Sequence, residues 1–401
     1  MKVLHTGDWH MNSWLGRRDL TPHILSALER IALYLDEHRV DVLIVAGDLF
    51  SERSRDEAMM RATGDLRRIF GPFVARGGTI VAVAGNHDSE TRFQTLRHSL
   101  FLGGGNAHGR FVLCADPTFL SLPDARAEQV QFALLPFPTP RRYGTESYSS
   151  FEERNRALQD AFAATLEAMR QEQVNPAFPT VLVSHIHVRG AQSHTLFGVS
   201  ESEEVVFEPG QIPREWAYSA YGHIHKPGEA VTGASHIRYC GSPIALDAAE
   251  RHDAKSCVLF ELDKDGLCGE IALLPLGGPR IAQLALDATS EEPAAMMARL
   301  ASEHRDDLVF YTLRFDPRQH AFPTLKADIE RALPGVYGFA VEEVGTQIST
   351  GPILLAVPAP DAPVSALTGD PRVHVREFLE RRLRLHADKD AICALAEKVM
   401  A

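Results

Sequence analysis

Basic charge is not in excess in this chain: 41 lysines and arginines stand against 53 aspartates and glutamates, a formal net charge of −12 over 401 residues. A domain that binds nucleic acid unaided usually carries a basic footprint, so this balance weighs against one. Cysteine is scarce. The five, Cys114, Cys240, Cys257, Cys268 and Cys393, are odd in number, widely spaced and without a Cys-x-x-Cys pair. They suggest no disulfide framework and fit a reducing compartment. No apolar run approaches the roughly 20 residues of a membrane-spanning helix. The N-terminus reads directly as a strand, without the charged and apolar regions of a signal peptide, so the expectation is a cytoplasmic protein. A Gly-x-x-x-x-Gly-Lys-Ser/Thr segment is also missing, which leaves any ATP dependence to another chain.

What is present is a set of short apolar runs, each with donor side chains at or near its end. Val3-Leu4, Val42 to Ala46, Ile80 to Ala84 and Val181 to Val183 are β-branched-rich and bounded by glycine or polar residues, which reads as buried strands. The donor segments are Asp8-Trp9-His10, Gly47-Asp48, Gly85-Asn86-His87-Asp88, Ser184-His185 and Gly222-His223-Ile224-His225. In open α/β sheets the loops beyond the carboxyl ends of the strands converge on one crevice, so these donors are expected to meet there. They mix imidazole nitrogen with carboxylate and amide oxygen, which suits manganese, iron or zinc better than calcium or magnesium. No thiolate is among them, and there are more donors than one ion needs, which favours a catalytic pair of ions over a structural zinc. Asp48, central among the motifs and directly after a long apolar run, is the natural bridge. Bound divalent ions would also invert the local field, so the acidic composition does not exclude an anionic substrate.

Asp8-x-His10, Gly47-Asp48, Gly85-Asn86-His87-Asp88, His185 and Gly222-His223-x-His225, in that order, resemble the signature of calcineurin-like metallophosphoesterases. The segments Gly47-Asp48-Leu49-Phe50, Tyr221 to His225 and Tyr239-Cys240-Gly241-Ser242-Pro243-Ile244 are similar to the DNA-nuclease branch of that superfamily. The resemblance implies two mixed β-sheets packed face to face and flanked by helices, with two divalent ions, Mn2+ in that branch. Asp8, His10, Asp48 and His225 would hold one ion and Asp48, Asn86, His185 and His223 the other. His87 would lie beside the ions as the catalytic residue, touching the scissile phosphate and assisting departure of the leaving oxygen. Some relatives carry His or Asp directly after Gly-Asp-x-Phe, where this chain has Ser51. Glu52 and Asp56 are therefore the substitutes expected to orient His87. Two ions held ~3.5–4 Å apart would activate a water for in-line attack on phosphorus, so no Ser or Cys nucleophile is required.

Organisation along the chain suggests three parts. Residues 1–276 alternate strands and helices, with a helical stripe at Ile24, Leu25, Leu28, Ile31, Ala32 and Leu35, a helix from Phe151 to Arg170, and a terminal hairpin turning at Asp263-Lys264-Asp265-Gly266. Gly277-Gly278-Pro279 marks a boundary. Residues 277–357 then read strand, helix, strand, helix, strand, a smaller α/β domain that would serve as a cap over the substrate. A proline-rich linker from Pro358 through Pro371 precedes amphipathic helices around Val375, Phe378, Leu379 and Leu383 and from Asp390 to Met400. The resemblance implies that residues 358–401 dock on a coiled-coil ATPase partner, and that the protein acts on DNA as a homodimer within a heterotetramer. Arg141-Arg142 reads as a solvated loop pair, with contact to a DNA backbone as the alternative. The rival function is a small-molecule phosphodiesterase or phosphomonoesterase on the same fold.

Overall fold

Lys2–Thr6, Val42–Val45 and Thr79–Val83 are parallel neighbours in one six-stranded sheet, paired Val3 to Val42 and Val42 to Thr79. The computed structural model describes residues 1–51, 56–102, 110–124, 127–144, 148–191 and 205–344. The sheet runs, edge to edge, Gly266–Pro275, Ser256–Asp263, Lys2–Thr6, Val42–Val45, Thr79–Val83 and Arg110–Cys114. Its first two strands form the expected hairpin, antiparallel to each other, with Ser256–Asp263 also antiparallel to Lys2–Thr6. A second six-stranded sheet runs Gly228–Glu229, Ile237–Tyr239, Tyr218–Gly222, Thr180–His185, Gln129–Leu135 and Thr118–Pro123. Both sheets are mixed, as the family resemblance implied. The run Val181 to Val183 therefore belongs to a different sheet from the other three apolar runs.

Strand periodicity explains how the two sheets meet. Successive side chains point to opposite faces, so Val3, Ile44, Val81 and Val83 of the first sheet pack against Phe132, Leu134, Val181, Val183 and Ala220 of the second, in one buried core. The residues between them face outward. Ala133, Leu135, Leu182 and Tyr221 bury against Leu158, Phe162, Leu166 and Met169 of the helix Phe151–Glu172. On the first sheet the outward residues Leu4, Leu43, Val45 and Ile80 are equally buried. Helix Thr21–Glu37 buries the stripe Ile24, Ala27, Leu28, Ile31 and Leu35. Its expected members Leu25 and Ala32 are half-buried, because the inward face lies one position nearer Ala27. Trp9, at the end of the first strand, stacks on Phe70 of helix Asp56–Ala75 with ring centroids 5.3 Å apart.

The chain divides into two compact units, Met1–Ala282 and Gln283–Ala401. The described part of the second holds a three-stranded sheet, in the order Ile281–Asp287, whose first two residues precede the boundary, Leu308–Phe315 and Val336–Glu343, with helices Pro293–Glu303 and Phe322–Ala332. Leu308–Phe315 and Val336–Glu343 pair in parallel. Met296 and Leu300 on one helix and Leu325 and Ile329 on the other supply its buried apolar stripes. The proline-rich segment and the C-terminal helices expected beyond it lie outside the described residues. Among the described residues no helix is long and apolar enough to cross a membrane.

Candidate metal centre

Every donor segment leaves the carboxyl end of a strand, and the loops carrying them are locked together by backbone hydrogen bonds. Asp8 N–H donates to Gly47 O, His10 N–H to Asp48 O and Met11 N–H to Leu49 O, at 2.9 to 3.0 Å. His223 N–H donates to Asp8 Oδ1 at 2.9 Å, joining the second sheet to the first. The geometry is strained. Asp8, His10, Asp48 and His223 have φ of 50°, 43°, 52° and 94°, the left-handed region that side-chain-bearing residues rarely occupy. Such backbone persists only where its surroundings over-determine it, typically at functional sites.

Glycine makes the approach possible. A Cβ on Gly85 would sit 2.0 Å from Asp48 Oδ1, and one on Gly222 would sit 1.9 Å from Ala46 O. Asp88 ties the loops from below, accepting from Gly85 N at 2.9 Å, Phe50 N at 3.2 Å and Leu49 N at 3.3 Å. Burial, then the Asp48 carboxylate, pushes the Asp88 acid up to about 6.

Asp48 lies between two groups of donors. Its Oδ2 is 3.4 Å from His10 Nε2 and 3.4 Å from His185 Nε2. On one side His10 Nε2 and His225 Nε2 approach to 3.1 Å, and Asp8, His10 and His225 offer ligand atoms within 4.8 Å of one another. On the other side Asn86 Oδ1 lies 2.8 Å from His185 Nε2 and 3.2 Å from His223 Nδ1. All seven donors singled out in the sequence are thus in one place.

The chemistry of this set fits cations. His185 Nδ1 is 2.8 Å from Ala46 O, an acceptor only, so the proton belongs on Nδ1. Nε2 then faces the amide oxygen of Asn86 and the carboxylate of Asp48, a cluster of acceptors that a ring proton or a bound cation would satisfy. The electrostatics agree. Burial opposes a charged His185, yet the Asp48 and Asp8 carboxylates push its pKa up to about 9. For Asp48, burial favours the neutral acid, but His185 and His10 hold it well below the ordinary carboxylate range. Burial raises Asp8.

His87 sits beside this centre. Its ring centroid is 5.1 Å from that of His10, and its backbone N–H donates to Asp48 Oδ1 at 2.9 Å. Of the expected partners for it, Asp56 is fully exposed and faces Arg92 at 3.7 Å, and Glu52 lies outside the described residues. His187, two residues beyond His185, has its ring 5.7 Å from the His223 ring.

Arg142 departs from both readings of the Arg141-Arg142 pair. It is 8 % exposed, so it is neither a solvated loop residue nor a surface available to DNA. Its Nη1 donates to Phe137 O at 2.9 Å and Gly85 O at 3.2 Å. Arg141 is exposed and pairs with Glu90 at 3.3 Å. Sequence reasoning also passed over Glu250 and Lys255, which lie behind His225; their only local signal is a Glu and a Lys shortly after the Gly241-Ser242-Pro243 turn.

Residues 1–227 match the calcineurin-like phosphoesterase family. The chain is 25 % identical over 313 residues to the SbcD subunit of the Bacillus subtilis nuclease SbcCD, covering 73 % of this chain and 74 % of that one. It is 26 % identical over 267 residues to the same subunit of Escherichia coli, covering 62 % of each, less than two thirds of that relative's length. Among solved structures, TT1561 of Thermus thermophilus aligns at a TM-score of 0.40 and 13 % identity, over 69 % of this chain and 99 % of that one. With its donor loops at the carboxyl ends of two facing mixed sheets, the chain belongs to the calcineurin-like phosphoesterase family, as a metal-dependent hydrolase of phosphoester bonds.

Proposed function

We propose that this hydrolase is a DNA nuclease with two divalent ions, Mn2+ by preference, acting as a double-strand exonuclease and a single-strand or hairpin endonuclease in repair and recombination. The observation that carries the two-ion reading is the position of Asp48, 3.4 Å from a histidine nitrogen on either side. Asp8, His10, Asp48 and His225 would hold one ion, and Asp48, Asn86, His185 and His223 the other. Bound there, the ions supply Lewis-acid polarisation of the phosphoryl group and a water of lowered pKa.

The chain's own groups do the rest. Asp8 and Asp48 are the only carboxylates in the set, so two divalent ions leave the centre net positive, matched to a phosphodiester anion. His87 stands next to the His10 side, placed to stabilise the developing charge or protonate the leaving oxygen, a role typically worth about two to four orders of magnitude in rate. The names of the relatives support nuclease action and a complex with a second subunit. Residues 277–357 would serve as the cap that selects DNA shape. Residues 358–401 would dock on an SbcC-type ATPase, the whole forming a heterotetramer around a homodimer in the cytoplasm.

The test is cleavage of a DNA hairpin by the purified chain with Mn2+, with bis-para-nitrophenyl phosphate as a small diester in parallel. Loss of both activities in His87→Gln, with metal binding retained, is the expected result. Cleavage of the small diester alone, even with the ATPase partner supplied, would replace the nuclease by a small-molecule phosphodiesterase.

A further inference from the structure

His225 is gripped from behind by a buried ionic cluster that takes no direct part in the metal centre. Its Nδ1 lies 2.8 Å from Glu250 Oε1, while its Nε2 faces His10. Glu250 is 1 % exposed, and its other oxygen lies 2.7 Å from Lys255 Nζ, 3.1 Å from Ser242 Oγ and 3.2 Å from Leu246 N. Lys255, 7 % exposed, also donates to His225 O at 2.8 Å. Ser242 N–H donates to that same carbonyl at 3.1 Å. Ring and backbone of His225 are therefore held by one loop, which turns at Gly241 with φ 75°, where a Cβ would lie 2.7 Å from His225 O.

Two histidines of the centre, one on each side of Asp48, are oriented by different chemistry. His185 Nδ1 meets a neutral carbonyl, Ala46 O, whereas His225 Nδ1 meets a carboxylate. A carboxylate behind an imidazole fixes the proton on the near nitrogen and makes the far nitrogen a stronger donor. Lys255 pairs with Glu250 at 2.7 Å and more loosely with Asp253 at 3.4 Å, so the cation next to Glu250 offsets much of the charge the carboxylate brings up behind the centre.

We propose that Glu250 is a positioning residue for His225, aiming its Nε2 into the Asp8–His10–His225 side of the centre and setting the affinity of that side alone, with Lys255 holding Glu250 in place. The inference rests on the two-ion reading above. A purely structural role, a buried ion pair closing the 241–255 loop, would instead change stability without changing one ion's affinity selectively.

The experiment is Mn2+ titration by calorimetry of the chelator-treated full chain, with thermal unfolding in parallel. The wild type is expected to bind two ions. Glu250→Ala should weaken one of them by about 10- to 100-fold and leave the other within about twofold. Glu250→Gln, which keeps the shape and an acceptor oxygen for Nδ1–H, should lose less and covers the case in which the alanine variant does not fold. Adding Glu250→Gln to His225→Ala should weaken binding no further, since Glu250 acts through that ring. Affinities unchanged in both Glu250 variants, equal loss of both ions, or an additive double variant would overturn the inference. A wild type that binds fewer than two ions would overturn the two-ion reading itself, and this inference with it.

Discussion

At Gly85 a single hydrogen atom in place of a methyl group decides whether Asp48 can stand where it does. A Cβ there would meet Asp48 Oδ1 at 2.0 Å and Asp48 N at 2.5 Å, and the second contact is backbone, which cannot swing aside. Gly85→Ala is therefore expected to reduce Mn2+ affinity by about tenfold or more, measured by calorimetry. Gly64 provides the contrast. It lies exposed in helix Asp56–Ala75, and a methyl group placed there would meet nothing within 4 Å, so Gly64→Ala should stabilise by about 0.5–1 kcal/mol, read by urea denaturation. His5 gives the pH dependence of the core. It is fully buried with Nδ1 3.1 Å from Tyr218 Oη, and burial drives its pKa down to about 3 from an ordinary 6.5. The unfolded chain takes up this proton first, so the contribution is complete above pH 6.5 and is lost as pH falls toward 3. The slope is roughly 1.4 kcal/mol per pH unit. A His5→Gln variant should flatten the fall in urea-derived stability between about pH 6 and pH 4 by that slope; an unchanged profile would contradict the assignment.

Among the elements, the short helix Pro140–Tyr143 does more than connect. Thr139 caps it, accepting from Arg142 N at 3.4 Å, and so presents Arg142 to the loop that carries Asn86 and His87. The guanidinium satisfies the carbonyls of Gly85 and Phe137, while Asp88 satisfies three amides from the two neighbouring loops. Removing the arginine leaves buried acceptors unpaired, each worth about 1–3 kcal/mol. Arg142→Met is expected to destabilise by roughly 2–4 kcal/mol in urea denaturation and to lower turnover, because the His87 loop loses its brace. Arg142→Lys should recover only part, since one ammonium nitrogen cannot stand both where Nη1 meets Gly85 O and Phe137 O and where Nη2 meets Asp88 O at 3.5 Å.

For the molecule as a whole, all seven candidate ligands fall within Met1–Ala282 and none in the second unit. A ligand that binds only the folded state stabilises the unit that holds it, by about 2.7 kcal/mol at a free concentration 100 times Kd. Hydrogen exchange with and without Mn2+ should therefore show added protection in the strands of residues 1–282, with little change across Pro293–Glu303 and Leu308–Phe315. Equal protection of the second unit would mean that the two unfold as one or that it binds the ion too.

Local pattern was enough to read the elements and to single out the side chains that gather at the strand ends. Continuous, β-branched apolar runs belong to single segments, so the strands ending at Thr6, Val45, Val83 and His185 are legible, as are the hairpin after Ser256 and the alternating strands and helices from Ile281 to Val344. Long-range packing alone set the supporting layer: Glu250 behind His225, Lys255 behind Glu250, Asp88 under two loops, and Arg142 buried where a solvated residue was expected. The difference lies in the range of the constraint. A strand's pattern is set by its own residues, whereas a buried polar group must be satisfied by whatever the fold brings to it, as Arg142 is by Gly85, 57 residues away in the chain. Likewise the pairing of two sheets, which brings His223 to Asp8 across 215 residues, follows from burying both inner faces at once, and no single segment records it.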